Sequence, residues 1–286
     1  MAKRLFRRAP AKLNLVLEVT GMRDDGYHEV DTVMQELELA DEVEVTLGGG
    51  GGFSVDGPYA VGTPEDVSNL AWKAVEGLAF ACGRTAGDLH IRLTKRIPAA
   101  GGLGGGSSDA VAVLRLLQAA WGATDDQLLH VATSIGSDEA FFLHGGTARA
   151  RGRGERVTAL RPLEPHGVVL FVPQETIARK TARMFAALDR LPTDPGGVAE
   201  AFAVRSPGAF TSADVYNTFE RVAFDLFDGL HALWTALEER TAQPIRLAGA
   251  GPTLFWVGPL NQAGVIADGA AGLPCTVIQT ATAGGH

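Results

Sequence analysis

A tract of small residues, Ile97-Pro-Ala-Ala-Gly-Gly-Leu-Gly-Gly-Gly-Ser-Ser-Asp109, constrains this chain more than any other stretch. It stands between two patterns of different period. Ahead of it, Leu89-His90-Ile91-Arg92-Leu93 alternates apolar and polar residues, as a half-buried strand does. Behind it, from Ser108 on, Ala110, Val113, Leu114, Leu117 and Trp121 recur along one helical face. Glycines carry no Cβ, so backbone amides can approach a ligand closely. The first turn of the helix adds N–H groups without intrahelical partners and the positive end of the macrodipole. Strand, glycine turn and helix start together make an anion site, most often one for phosphate. A flexible connector would explain the glycines alone, but not the serines at the helix start.

Neither of the commoner phosphate loops fits. A Walker-type loop requires a lysine before its Ser or Thr, and none precedes Ser107. The dinucleotide pattern Gly-x-Gly-x-x-Gly fails as well, because counting from Gly102 puts Ser107 where the third glycine belongs. The tract reads as a phosphate cradle of a third type.

The rest of the chain sets bounds on what such a cradle serves. Its 286 residues suffice for two ordinary domains, and 46% hydrophobic with 20% charged residues suits a globular protein with a substantial core. A net charge of −8 argues against a general nucleic-acid binder, though not against a small anion in a locally basic cleft. Cys82 and Cys275 are too few for a disulfide framework or a cysteine zinc site, which points to a cytoplasmic protein. No apolar run approaches the length of a membrane span, so no membrane partner is expected. Lys3, Arg4, Arg7 and Arg8 read as a short solvated lead-in rather than a transit peptide.

In chain order, 13–19 alternates as a strand and puts Lys12 and Asn14 on one face. A lysine there is ordinarily a surface residue. Residues 21–28 form a turn-rich loop ending in Tyr27 and His28, a pair that taken alone is ordinary surface. Strands are expected over 33–39 and 42–47, with the glycines of 48–52 as a hairpin connection. A helix is expected from about 70 to 81, then the cradle, then a helix from the Thr124/Gln127 capping box to about 135. Asp138 precedes a short apolar element, where the default role is an N-cap. The arginine-rich stretch 145–154 reads as a hairpin leading out of the first domain. Beyond it lie a strand at 167–172, a helix at 176–188, helices within 213–240, strands at 245–247 and 253–257 around Gly249-Ala250-Gly251, a helix at 261–269 and a strand at 275–278.

Three blocks, Pro10-Ala11-Lys12-Leu13-Asn14, the cradle, and Gly249-Ala250-Gly251-Pro252-Thr253, resemble the GHMP kinase superfamily, whose ATP loop lacks the Walker lysine. The resemblance spans the chain, and Asp25-Gly26-Tyr27-His28 narrows it to the branch acting on a cytidylated methylerythritol. It implies an α+β, two-domain fold with a ribosomal-protein-S5-like N-terminal domain (1–158, ATP-binding and catalytic) and a ferredoxin-like C-terminal domain (159–286, substrate-binding). It implies ATP and Mg²⁺ as cofactors, transfer of phosphate to the 2-hydroxyl of that small molecule, no nucleic-acid partner, and a monomer or homodimer.

The resemblance also assigns residues. Lys12 and Asp138 become the catalytic pair, and Pro98, Ala99, Ala100, Gly101, Gly102, Leu103, Gly104, Gly105, Gly106, Ser107 and Ser108 the ATP phosphate loop. Asn14 would touch the substrate near the reacting hydroxyl. Tyr27 and Phe185 would stack on cytosine, His28 would read its edge, and Gly249 and Gly251 would line the substrate phosphates. Two departures stand out. The family's segment after its aspartate usually reads Val-Pro-Phe-Phe, whereas Glu139-Ala140-Phe141-Phe142 follows Asp138 here, and Ala250 replaces the usual Ser or Thr. An inward Glu139 could raise the pKa of Asp138 or bind Mg²⁺, while the Mg²⁺ ligands themselves stay open. Asp109 at the helix start reads as a residue that compensates the dipole. Homoserine- or mevalonate-type kinases and a non-catalytic nucleotide-binding homologue are the alternative readings.

Overall fold

The structure is a computed structural model and describes residues 2–48, 50–174, 177–205 and 210–284. The chain runs through β1 (Lys3–Met22), β2 (His28–Leu47), β3 (Gly52–Asp56), α1 (Leu70–Ala81), β4 (Leu89–Thr94), α2 (Gly105–Trp121), α3 (Asp125–Ile135) and α4 (Glu139–His144). It continues through β5 (Thr147–Gly152), β6 (Arg156–Ala159), β7 (Gly167–Pro173), α5 (Lys180–Leu188), α6 (Val198–Arg205) and β8 (Tyr216–Asn217). The last elements are α7 (Glu220–Leu226), α8 (Leu230–Thr241), β9 (Arg246–Leu247), β10 (Leu254–Gly258), α9 (Ala263–Gly269) and β11 (Cys275–Ala281). They pack as two compact units. One comprises Met1–Ala11, Leu39–Ala99 and Gly104–His144, and the other Lys12–Glu38, Ala100–Leu103 and Gly145–His286. These interleave along the chain, a different partition from the consecutive stretches 1–158 and 159–286.

In the first unit the end of β2 pairs antiparallel with β4, Val43 opposite Leu93 and Val45 opposite Ile91. Period two puts these four side chains on one face, where they bury against Leu78 of α1 and Val113, Leu114 and Leu117 of α2. The first turn of α1 is closed by Asn69, whose side chain accepts from the Ala71 amide. Thr124 and Gln127 form the expected capping box on α3. On its other edge β4 pairs parallel with β3, Phe53 opposite Ile91. The 48–52 glycines therefore do not connect a hairpin: β4 already occupies that edge of β2, and β3 joins beyond it; Gly49 itself lies outside the described residues.

In the second unit the start of β2 pairs with β5, Val30 opposite Gly152, and β5 pairs with β6, the expected hairpin. Strand β8 runs parallel to β1 with Val16 opposite Tyr216. A second sheet has the order β11-β7-β10-β9. Its strands, counted along the chain, stand fourth, first, third and second, with helices between first and second and between third and fourth. That is the ferredoxin-like arrangement. Its core gathers Val169, Phe171, Leu254 and Trp256 from the strands and Met184, Leu233 and Leu237 from the helices.

Several local readings are corrected. The basic lead-in is strand from Lys3 onward, with Lys3, Arg4, Arg7 and Arg8 exposed along it. The strands expected at 33–39 and 42–47 are one strand, β2; Asp41 does not break it because its carboxylate is paired with Lys95. Helix α2 starts at Gly105 rather than Ser108, its poor helix formers hiding the true start. Helix α5 begins at Lys180, and residue 176 lies outside the described residues. The helices expected within 213–240 are α7 and α8, preceded by a 3₁₀ turn, Ser212–Asp214, and β8. Both cysteines are free.

Candidate active site

The first unit builds the exit of the glycine tract. Gly104 takes the left-handed conformation (φ 74°), and no side chain caps the helix that follows. The first amides of an α-helix have no intrahelical partner, and no side chain takes up the role here. Behind them lies a buried ion cluster. Lys95, at the end of β4, pairs with Asp41 of β2 and Asp109 of α2. Asp41 also accepts from the amides of Arg96 (2.5 Å) and Ile97 (2.8 Å), the residues that enter the tract. The cluster thus ties strand end, tract entry and helix together. Burial acts against the Lys95 ammonium, but the two carboxylates outweigh it and raise its pKa. Asp109 is pushed up by burial, and Lys95 offsets only part of the shift. Asp109 is therefore a buried member of this cluster, not a dipole-compensating residue, because the carboxylate turns inward to Lys95.

Asp138 is half-buried ahead of α4, and its carbonyl accepts from the Phe142 amide at 3.2 Å. Glu139 turns inward and is fully buried, and neither of its carboxylate oxygens has a hydrogen-bond partner. Burial, and then the charge of Asp138, push it up to about 7. The Ser107 hydroxyl lies near enough to ease this slightly without forming a hydrogen bond. A Cβ at Gly136 would stand 2.5 Å from a Glu139 oxygen, so that glycine makes room for the acid. The Ser108 hydroxyl is also buried and unpartnered. Among the described residues no cluster of three His, Cys, Asp or Glu could hold a metal. A magnesium ion bound with nucleotide needs only one or two carboxylates besides the phosphates. Glu139 and Ser108 each offer unpartnered buried oxygens, the hard donor type that Mg²⁺ takes.

The second unit gathers the remaining pieces. Lys12 and Asn14 are both buried, at 4% and 3% exposure, and Lys12 Nζ donates to Asn14 Oδ1 at 2.7 Å. The Asn14 amide in turn donates to Thr32 Oγ1 at 2.8 Å, which fixes its orientation. Lys12 is no surface lysine. Its backbone amide donates to the Leu103 carbonyl, placing the 100–103 part of the tract beside it. This part is packed tightly: a Cβ on Gly102 (φ 85°) would run into the Ala248 carbonyl. One on Gly249 (φ 51°) would stand 2.9 Å from the Gly102 carbonyl and 3.3 Å from Asn14 Oδ1. Gly249 is thus required by close approach of backbone to backbone, whereas a Cβ on Gly251 (φ 70°) would meet the Leu247 and Phe227 side chains. Asn217 of β8, which sequence reasoning missed, donates to the carbonyls of Leu247 (2.9 Å) and Gly249 (2.8 Å) and holds this loop in place.

Near the start of β2, His28 stacks on Phe185, with ring centroids 4.3 Å apart and planes 16° apart. Its Nε2 meets Asp189 Oδ1 at 2.7 Å. Phe219 packs edge-on against Phe185. Tyr27 remains 51% exposed, with the Arg153 guanidinium 5.1 Å from its ring centre. His28 and Phe185 are brought together, while Tyr27 stands on Arg153. Asp189, like Asn217, gave no signal in the sequence, because its role depends on a partner 161 residues away.

Residues 69–146 match the family model for the GHMP kinases N terminal domain. Over 254 residues the chain is 37% identical to the 4-diphosphocytidyl-2-C-methyl-D-erythritol kinase of Shouchella clausii, covering 87% of this chain and 84% of that protein. It is 40% identical over 253 residues to the protein of the same name from Pelotomaculum thermopropionicum, covering 86% of each. A crystal structure of 4-(cytidine 5'-diphospho)-2C-methyl-D-erythritol kinase superposes with a TM-score of 0.77 at 34% identity, covering 98% of this chain and 100% of that one. Mevalonate kinase from Methanococcus jannaschii shares the fold, with a TM-score of 0.68 at 10% identity, covering 98% and 99%. The fold is the α+β, two-domain arrangement of these kinases.

Proposed function

This chain belongs to the 4-diphosphocytidyl-2-C-methyl-D-erythritol kinase family of GHMP kinases, and we propose that it transfers the γ-phosphoryl group of ATP to the 2-hydroxyl of 4-diphosphocytidyl-2-C-methyl-D-erythritol, a step of non-mevalonate isoprenoid precursor biosynthesis. The observation that supports it best is the packing of the 100–103 segment against 248–251, with Lys12 and Asn14 beside both. An ATP-loop segment, a buried ammonium and a backbone loop suited to phosphates are held together there.

In this reading residues 1–158 bind ATP and carry the catalysis, and 159–286 bind the substrate. Phosphoryl transfer has a loose transition state, so positioning and charge stabilisation do most of the work. The hydroxyl oxygen bonds to the γ-phosphorus as the bond to the β-γ bridging oxygen breaks, and ADP leaves. Asp138 accepts the hydroxyl proton or holds it in line. Lys12 stabilises charge at the reacting oxygens, with Asn14 setting the direction of its ammonium. Amides at the start of α2 bind phosphate oxygens of the nucleotide. Mg²⁺, when bound with ATP, supplies neutralisation of triphosphate charge, and Glu139 and Ser108 would hold it. Tyr27, His28 and Phe185 form the cytosine site, with Asp189 orienting His28. The two unpaired cysteines agree with a cytoplasmic setting.

A coupled ADP-release assay with the cytidylated substrate and with plain polyols tests this reading. ADP is expected only with the cytidylated compound; release with homoserine or mevalonate instead would move the chain to another branch, and none with any substrate would favour a non-catalytic protein. Tyr27→Ala is expected to raise KM for the cytidylated substrate roughly tenfold, the size of a lost base–aromatic stack, and to leave KM for ATP unchanged.

A further inference from the structure

Lys180 opens α5, and the residue before it, Arg179, is in the left-handed region at φ 52°. Its ammonium donates to the Ala100 carbonyl at 2.6 Å and to the Gly251 carbonyl. One acceptor belongs to the tract assigned to ATP, the other to the loop assigned to the substrate phosphates. Both are neutral, and among the described residues Lys180 forms no ion pair. An ammonium carries three N–H donors, so one is left over. Burial, and then the positive charge of Lys12, pull it down to about 8, which still leaves it largely cationic at neutral pH. A half-buried cation repelled by a second one and bonded to neutral carbonyls is stabilised by an anion.

We propose that Lys180 is an anion-binding residue of this site, whose remaining N–H bonds a phosphate oxygen of the cytidylated substrate or of ATP. It rests on the kinase reading above and adds a residue to it. Two carbonyls from different loops fix the ammonium where those loops meet, so the cation is in place before the ligand arrives. No sequence pattern marks it, since a lysine on the first turn of a helix reads as solvated surface.

Calorimetric titration of the full chain with CDP, cytidine and a non-hydrolysable ATP analogue tests the proposal. The proteins compared are wild type, Lys180→Gln, Lys180→Met and Lys180→Arg. Glutamine keeps amide donors for the two carbonyls and removes the charge, whereas arginine keeps the charge. Melting temperatures establish which variants fold, and one folded neutral variant suffices. The neutral variants are expected to bind a phosphate-bearing ligand roughly ten- to a hundredfold more weakly, the worth of a charge-assisted hydrogen bond, with cytidine unaffected and arginine restoring most of the loss. A loss confined to CDP assigns Lys180 to the substrate diphosphate, and one confined to the ATP analogue assigns it to the triphosphate. Unchanged affinity for both overturns the proposal, whether or not the melting temperature falls; a fall would leave Lys180 as a staple between loops. Wild type that binds neither cytidine nor CDP would count against the kinase reading itself.

Discussion

Two lysines withdrawn from solvent to different degrees, Lys95 buried in one compact unit and Lys180 half-buried in the other, are treated in opposite ways. In the first unit Lys95 sits between Asp41 and Asp109, and its charge is more than matched. In the second, Lys180 is held by two carbonyls and faces the charge of Lys12. Accordingly Lys95 has its pKa raised and Lys180 has it lowered. A buried cation that the protein neutralises itself serves the fold; one bonded only to neutral carbonyls is, on the proposal above, kept for an anion. The first unit uses its lysine to lock the entry of the glycine tract to the helix at its exit. The second keeps cations beside the loops where phosphates are proposed to bind.

The contrast breaks most readily at Lys95. Lys95→Met strands two buried carboxylates, and stability is expected to fall by about 3–5 kcal/mol. Urea unfolding measures it, and a change below about 1 kcal/mol would show that the cluster is not holding the first unit together. Lys12→Ala and Asp138→Asn should each lower turnover by about two orders of magnitude, or about 2.7 kcal/mol in the barrier, with unfolding midpoints close to wild type. A matching loss of stability in Lys12→Ala would move that lysine to the Lys95 class. Near-normal turnover in Asp138→Asn would remove Asp138 from the general-base role.

The smallest effect sharpens the rule with a carboxylate. Glu220 accepts from the Leu247 amide at 3.1 Å and lies 3.6 Å from Arg246, yet burial pushes it up to about 7 from the ordinary value of 4.5. Between those two values the folded protein binds the proton more tightly than the unfolded chain. Stability from this group is therefore fully present below the lower value and lost as pH rises to the upper one. Glu220→Gln keeps an acceptor for Leu247 and removes the titration. Its unfolding midpoint is expected to fall less than that of wild type between pH 4.5 and about pH 7; parallel profiles would show that Arg246 neutralises Glu220 after all.

Much of the site's first layer was legible in residue order. The glycine tract, the α1 span and the Thr124/Gln127 box are local, since strand period, helix period and capping chemistry are set by neighbours a few positions apart. Family resemblance pointed to Lys12 and Asp138, but residue type alone put Lys12 on the surface. Its surroundings include the 100–103 segment, which reaches it from about 90 residues later through the Leu103 carbonyl. Glu139 was visible as a departure, yet its inward turn was open until Gly136 was seen to make room for it.

By itself, then, the sequence determined where a phosphate-binding turn lies, which segments are helix or strand around it, and to which superfamily the chain is similar. Tertiary structure decided what each charge is for. Asp109 reads as a helix-start carboxylate until Lys95 and Asp41 close around it. Lys180 reads as surface until Ala100 and Gly251, 80 and 71 residues away, present their carbonyls to it. Asn217 likewise gains a role only when β8 comes to lie beside β1, within reach of Leu247 and Gly249. The physical reason is common to all three. Backbone conformation is governed by near neighbours, whereas the energy of a buried charge or amide depends on whichever partners the fold brings to it, and those are remote in sequence.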